Sequence, residues 1–181
     1  MPEQEHVRKQ FGEVEENELR LEREKSEQII DALNKDLADA YVLYHQLKKH
    51  HWNVEGAEFR DLHLFLGEAA GNVEEAADMI AERAQALGGT PISGPTAQEE
   101  HAGVEYEGQD VYDIRTSLEN DLEIYGDVIE SLRDHIELAE NLGDHATAQI
   151  LREIIVETED DAHHIEHYLE DDTLVTEGAM D

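Results

Sequence analysis

Apolar residues recur every third or fourth position through four long stretches of this chain. One long connection containing glycine and proline divides those stretches two and two. A 3.6-residue period is the mark of a helix that buries one face. In the first stretch, from Ser26, the stripe is Leu33, Leu37, Ala40, Tyr44, Leu47 and His51. In the second, from Phe59 to Leu87, it is Leu62, Leu66, Ala69, Val73, Ala77, Ile80, Ala84 and Leu87. Gly88, Gly89 and Pro91 form a helix stop. A third stretch spans 110–141 with Val111, Ile114, Leu118, Leu122, Tyr125, Val128, Leu132 and Ile136. "NLGD" interrupts it, and a fourth runs from Asp144 to Glu170 through Ala148, Leu151, Ile155, Thr158, Ala162, Ile165 and Leu169. No alternation of strand type competes.

The short links predict antiparallel hairpins within each pair of helices. The connection 88–109, with a short helix expected near "TAQEEHA", lets the third helix run parallel to the second. The expected fold is all-α, a four-helix bundle of ferritin-like layout with a long middle crossover. Residues 1–24 read as a flexible acidic arm, 25–172 as the bundle and 173–181 as a tail.

Asp and Glu number 46 against 13 Lys and Arg, a formal net charge of −33. Such a field repels nucleic-acid phosphates and anionic lipid and attracts cations. The acids interleave with periodic apolar residues, which points to a folded protein of a salt-loving source rather than a disordered chain. There is no cysteine, so thiolate metal sites and disulfides are excluded. No membrane-spanning run or signal-like segment is seen, and the expected location is the cytoplasm.

The stretch "KKHHWNVEGAEFRDLH" is the candidate for metal chemistry. His63 and Asp78 lie fifteen residues apart, within roughly 60° on the helical wheel, with Glu82 one turn further on. The axial rise between His63 and Asp78 is about 22 Å, so they cannot share an ion within one helix. An antiparallel copy of the helix across a twofold axis brings His63 of one chain beside Asp78 and Glu82 of another. His51, at the end of the first helix, approaches the same point. Mixed nitrogen and oxygen ligands suit Fe(II), with Zn(II) or Mn(II) as competitors. Spacing alone leaves the bland reading open: a capping histidine and solvated i, i+4 acids.

"HHWNVEGAEFRDLH", then Asp78 and Glu82, then "AERAQALGGTP" resemble the Dps family of mini-ferritins over about forty contiguous residues. The resemblance implies a hollow homododecamer that oxidises Fe(II), preferably with hydrogen peroxide, and stores the Fe(III) product, giving protection from oxidative damage. It implies ferroxidase sites between subunits, with His51 and His63 from one and Asp78 and Glu82 from its neighbour. Trp52 matches the family's tryptophan beside the site, where it takes up a stray oxidising equivalent. The sequence departs from the family at two places. Gly67 stands where an aspartate is common, and Gly71 one turn on also lacks a side chain, so a poorly made second iron position is expected. The arm, unlike the lysine-rich arms of some members, is net acidic, and direct DNA binding is not expected.

His163, His164 and His167 form a second concentration, read as a site for a transition ion in transit or an anchoring Zn(II), or as exposed histidines among acids. By the resemblance, Asp144 is a candidate to line a threefold channel, with helix capping as its other role. Glu153 and Glu157 are candidates to seed mineral. Asp160 and Asp161 each precede a histidine by three, which leaves an intrasubunit di-iron oxidase of the rubrerythrin kind as the alternative enzyme. A passive cage for divalent ions is the non-enzymatic alternative.

Overall fold

The computed structural model describes residues 6–170. Five helices follow in order: α1 Arg23–Asn53, α2 Phe59–Ala86, α3 Pro95–His101, α4 Ile114–Leu142 and α5 His145–Leu169. All described regular structure is helical. Side-chain ties give the topology directly. Gln46 and His50, late in α1, meet Asp121 early in α4, whereas Asp36, earlier in α1, meets Ser131 and His135 further along α4. These two helices are therefore antiparallel. Phe65, Asn72 and Arg83 of α2 meet His164, Asp161 and Thr147 of α5 in reversed order. The crossover accordingly sets α4 parallel to α2, as the long connection predicted.

The core is one cluster. Leu33, Leu37, Leu43 and Leu47 of α1 meet Leu62, Leu66 and Ile80 of α2, Tyr125 and Leu132 of α4, and Leu151 and Ile165 of α5. Each fully buried large side chain contributes about 1.5–3 kcal/mol. α1 is not amphipathic in the usual sense. It lies under α2, α4, α3 and the crossover, and buries Asn34, Asp36, Asp39, Gln46, Lys49 and His50 along with its leucines.

Those buried polar groups fasten the crossover. Asn34 accepts from Ile92 N at 2.8 Å and donates to Thr90 O at 3.3 Å. Asp39 Oδ1 accepts from Gly103 N at 2.5 Å and Val104 N at 3.3 Å, and Gln46 Oε1 accepts from Glu107 N at 3.2 Å. Segments without regular structure must satisfy their backbone groups somewhere, and here α1 supplies the partners.

Two expectations are corrected. The third long helix begins at Ile114, not near 110, because Asp113 caps it: its carboxylate accepts from Thr116 N at 3.0 Å and Thr116 Oγ1 at 2.8 Å. Val111 therefore leaves the stripe and stands 60 % exposed. Among the described residues the N-terminal segment is not a loose arm. Lys9 Nζ donates to Gly88 O at 2.6 Å and Gly89 O at 2.9 Å, just past the C-terminal end of α2, where a cation is favoured. Glu15 N donates to Gly88 O, Asn17 Nδ2 donates to Leu87 O, and Val14 is buried in the core cluster. Gly88 has φ +94°, and a Cβ there would stand 2.2 Å from Glu15 O, so only glycine permits the strap. The expected tail, 173–181, lies outside the described residues, as do the last two residues of the expected bundle.

Candidate metal centre

His51 closes α1 and His63 lies in the second turn of α2. The five-residue link between the helices brings them face to face. Their rings stack with centroids 3.9 Å apart and planes 18° from parallel, and Phe59 continues the pile at 5.1 Å from His63. His51 Nδ1 lies 2.6 Å from His63 O, and His63 Nδ1 lies 2.8 Å from His51 O. A carbonyl oxygen only accepts, so both Nδ1 atoms carry protons. Each neutral ring then has its lone pair on Nε2. Second-sphere fixing of this kind selects the metal-binding tautomer and locks the ring.

Gly67 makes the arrangement possible. A Cβ there would stand 2.9 Å from His51 Cε1 and 3.0 Å from Nδ1, so the imidazole occupies the space a side chain would take. A carboxylate side chain in place of Gly67 would push the His51 ring aside. At Gly71 a Cβ meets nothing within 4 Å.

Asp78 and Glu82 are exposed, one turn apart on α2, and do not meet His51 or His63 within the chain. Among the described residues no three metal-ligating side chains of one chain gather around a point. Trp52 is 69 % exposed, with Lys48 Nζ 5.8 Å from its ring centroid. Asp144 is a buried helix cap. Its oxygens accept from Thr147 N at 3.0 Å, Thr147 Oγ1 at 2.5 Å and Arg83 Nη2 at 2.7 Å. Burial alone would raise its pKa, but the Thr147 bonds and the Arg83 guanidinium hold it below the ordinary aspartate value. Asp144 thus fills the capping role that the sequence offered beside the channel reading.

Glu153 and Glu157 are exposed and line a cleft of about 460 Å³ between α2 and α5, with Asn72, Glu75 and Asp161. Asp161 turns inward, where Tyr125 Oη donates to it at 3.3 Å and Asn72 Nδ2 at 3.3 Å. Of the second histidine group, His163 and His167 are brought together, while His164 turns toward Phe65 and Asp160.

The residue that enters the bundle is His50, which the stripe had assigned to His51. His50 Nδ1 lies 2.8 Å from Asp121 Oδ2 and Nε2 lies 2.6 Å from Glu107 Oε1. With both carboxylates ionised each ring nitrogen donates, and the ring is then an imidazolium. Burial opposes that charge, but Asp121 and Glu107 outweigh it and raise the pKa. Lys49 and Asn120 complete the group around Glu107, at 2.6 Å each. The available signal was Gln46 and His50 at i, i+4, a polar row beside the leucines. This network ties the end of α1 to the start of α4 and to the crossover.

The antiparallel hairpins, the long crossover and a histidine pair at the first link define a ferritin-like bundle, and the ferritin-like domain profile matches residues 30–175. Within that class the chain belongs to the Dps family. It is 66 % identical, over 100 % of both chains, to the DNA protection during starvation protein of Halobacterium salinarum. It is 39 % identical to a nutrient stress-induced DNA-binding protein of Synechococcus, over 91 % of this chain and 93 % of that one. The crystal structure of an archaeal Dps homologue from Halobacterium salinarum superposes with a TM-score of 0.94 at 67 % identity, covering 98 % of this chain and 99 % of that chain.

Proposed function

We propose that this chain is the subunit of an iron-oxidising and iron-storing cage, a homododecamer whose ferroxidase sites lie between subunits. His51 and His63 of one subunit supply imidazole nitrogen, and Asp78 and Glu82 of a neighbouring copy supply carboxylate oxygen. The observation that carries the reading is the reciprocal fixing of the two histidines, which presets both Nε2 atoms as ligands. The exposure of Asp78 and Glu82 supports donation to a neighbour.

Fe(II) is the substrate. Two Fe(II) and one hydrogen peroxide, with two protons, give two Fe(III) and two waters. The carboxylates offset the charge gained on oxidation, and hard oxygen ligands favour the ferric product. Trp52, beside His51 in sequence, supplies one electron when a site holds a single iron. The acids along the α2–α5 cleft, Glu75, Glu153 and Glu157, offer hard ligands for the stored product.

The relatives carry DNA protection or DNA binding in their names. For this chain protection follows from removing iron and peroxide together, since a net charge of −33 opposes contact with phosphate. Stopped-flow oxidation of Fe(II) with peroxide tests the reading. Oxidation faster than in buffer, suppressed in His63→Ala, supports a ferroxidase. Binding of Fe(II) without accelerated oxidation would leave a passive cage instead.

A further inference from the structure

His163 and His167 stand one turn apart near the C-terminal end of α5. Their Nε2 atoms face each other at 3.0 Å, with ring centroids 4.3 Å apart and planes 66° apart. His163 Nδ1 lies 3.0 Å from Glu166 Oε2. A carboxylate accepts, so this Nδ1 carries the proton and the neutral His163 ring has its lone pair on Nε2. The proton between the two rings therefore belongs to His167. With the His167 proton moved through solvent to its Nδ1, the ring stays neutral and a cation between the rings meets two converging lone pairs.

The spacing matches a chelate. Two nitrogens each about 2.0–2.1 Å from one ion, at right angles, stand about 2.8–3.0 Å apart. The pair holds that separation without large movement. Glu166 supports His163 as carboxylates support ligating histidines elsewhere, fixing the ring and raising its basicity. Both side chains are open to solvent, His163 at 60 % and Glu166 at 61 %. His164 takes no part, because it faces Phe65 and Asp160.

We propose that His163 and His167 form a bidentate site for an imidazole-preferring divalent transition ion, Cu(II), Ni(II) or Zn(II), with water in the remaining positions. Two neutral imidazoles favour these ions over Fe(II), which stands lower in the order of affinities for nitrogen sites. The site uses neither His51 nor His63, and it stands or falls independently of the ferroxidase reading.

The test is titration of the assembled, full-length protein with Cu(II), followed by electron paramagnetic resonance, with Zn(II) calorimetry in parallel. One ion per chain with two imidazole nitrogens is expected at this site. His163→Gln and His167→Gln each weaken it at least 100-fold. Glu166→Gln, which keeps both ligands, weakens it about tenfold. All three positions are exposed, and helical circular dichroism checks each fold. The His51→Ala, His63→Ala double variant keeps the site. Titrations of the three α5 variants that superpose on the parent, or a two-nitrogen signal lost only in the His51, His63 variant, would overturn the proposal.

Discussion

His51 and His63 hold each other by the backbone: the Nδ1 of each donates to the carbonyl oxygen of the other, at 2.6 Å and 2.8 Å. Neither bond uses the atom that would bind a metal. Each anchor is main chain, so replacing one histidine leaves the other's anchor in place. Removing a ring therefore takes away a ligand without collapsing its neighbour. His63→Ala is expected to slow the fast phase of Fe(II) oxidation by 10-fold or more while costing about 1 kcal/mol of stability. Stopped-flow rates and thermal unfolding of the same preparation measure both.

A shared site predicts complementation. His63→Ala and Asp78→Ala subunits are each inactive alone. Co-expressed at equal levels, a mixed twofold pair has one site with both changes and one with neither, so about a quarter of the parental activity returns. Co-assembled cages as inactive as either parent would place all four ligands within one chain and refute the reading.

Gly67→Ala is expected to impair the site although no ligand is removed. The added methyl meets the His51 ring at 2.9 Å and displaces it from His63 O. Helix propensity acts the other way, since alanine gains about 1 kcal/mol over glycine in a helix. The variant should unfold at the same or higher temperature yet bind the first Fe(II) at least tenfold more weakly in calorimetry. Undiminished binding would show that His51 has another place to go.

The Asp144 cap sets an acid limit. Its pKa is held below the ordinary aspartate value by Thr147 and Arg83, so its contribution is complete above that ordinary value and fades as pH falls through the lower folded value. Asp144→Asn should unfold sooner than the parent near neutral pH, and the two should converge in strong acid. For the cap alone, Asp144→Ala costs about 0.5–2 kcal/mol. Melting curves across the acid range read the convergence.

Assembly should need salt. With −33 on each chain, copies repel strongly unless the Debye length is short. Light scattering is expected to give a particle near twelve times 20.5 kDa at high salt and smaller species at low salt. DNA should not be retarded by the cage at moderate ionic strength. Retardation lost on deleting residues 1–20 would show that the few cations of that segment suffice.

The four long helices, their pairing, the position of the crossover and the candidate ligands His51, His63, Asp78 and Glu82 are all legible in the residue pattern. The pattern reveals them because burial of a helix face repeats with the helix, and because ligand spacing along a helix is fixed by pitch. The packed fold adds what periodicity does not contain. It turned His50 inward to Asp121 and Glu107 and left His51 at the edge. It strapped Lys9 and Val14 to the end of α2, gave Asp144 to a helix cap, and filled the space above Gly67 with an imidazole. Each of these depends on a partner distant in sequence. A polar side chain reads as solvated until the fold shows which buried donor or acceptor it satisfies, and a glycine reads as a gap until the fold shows what lies where its side chain would be.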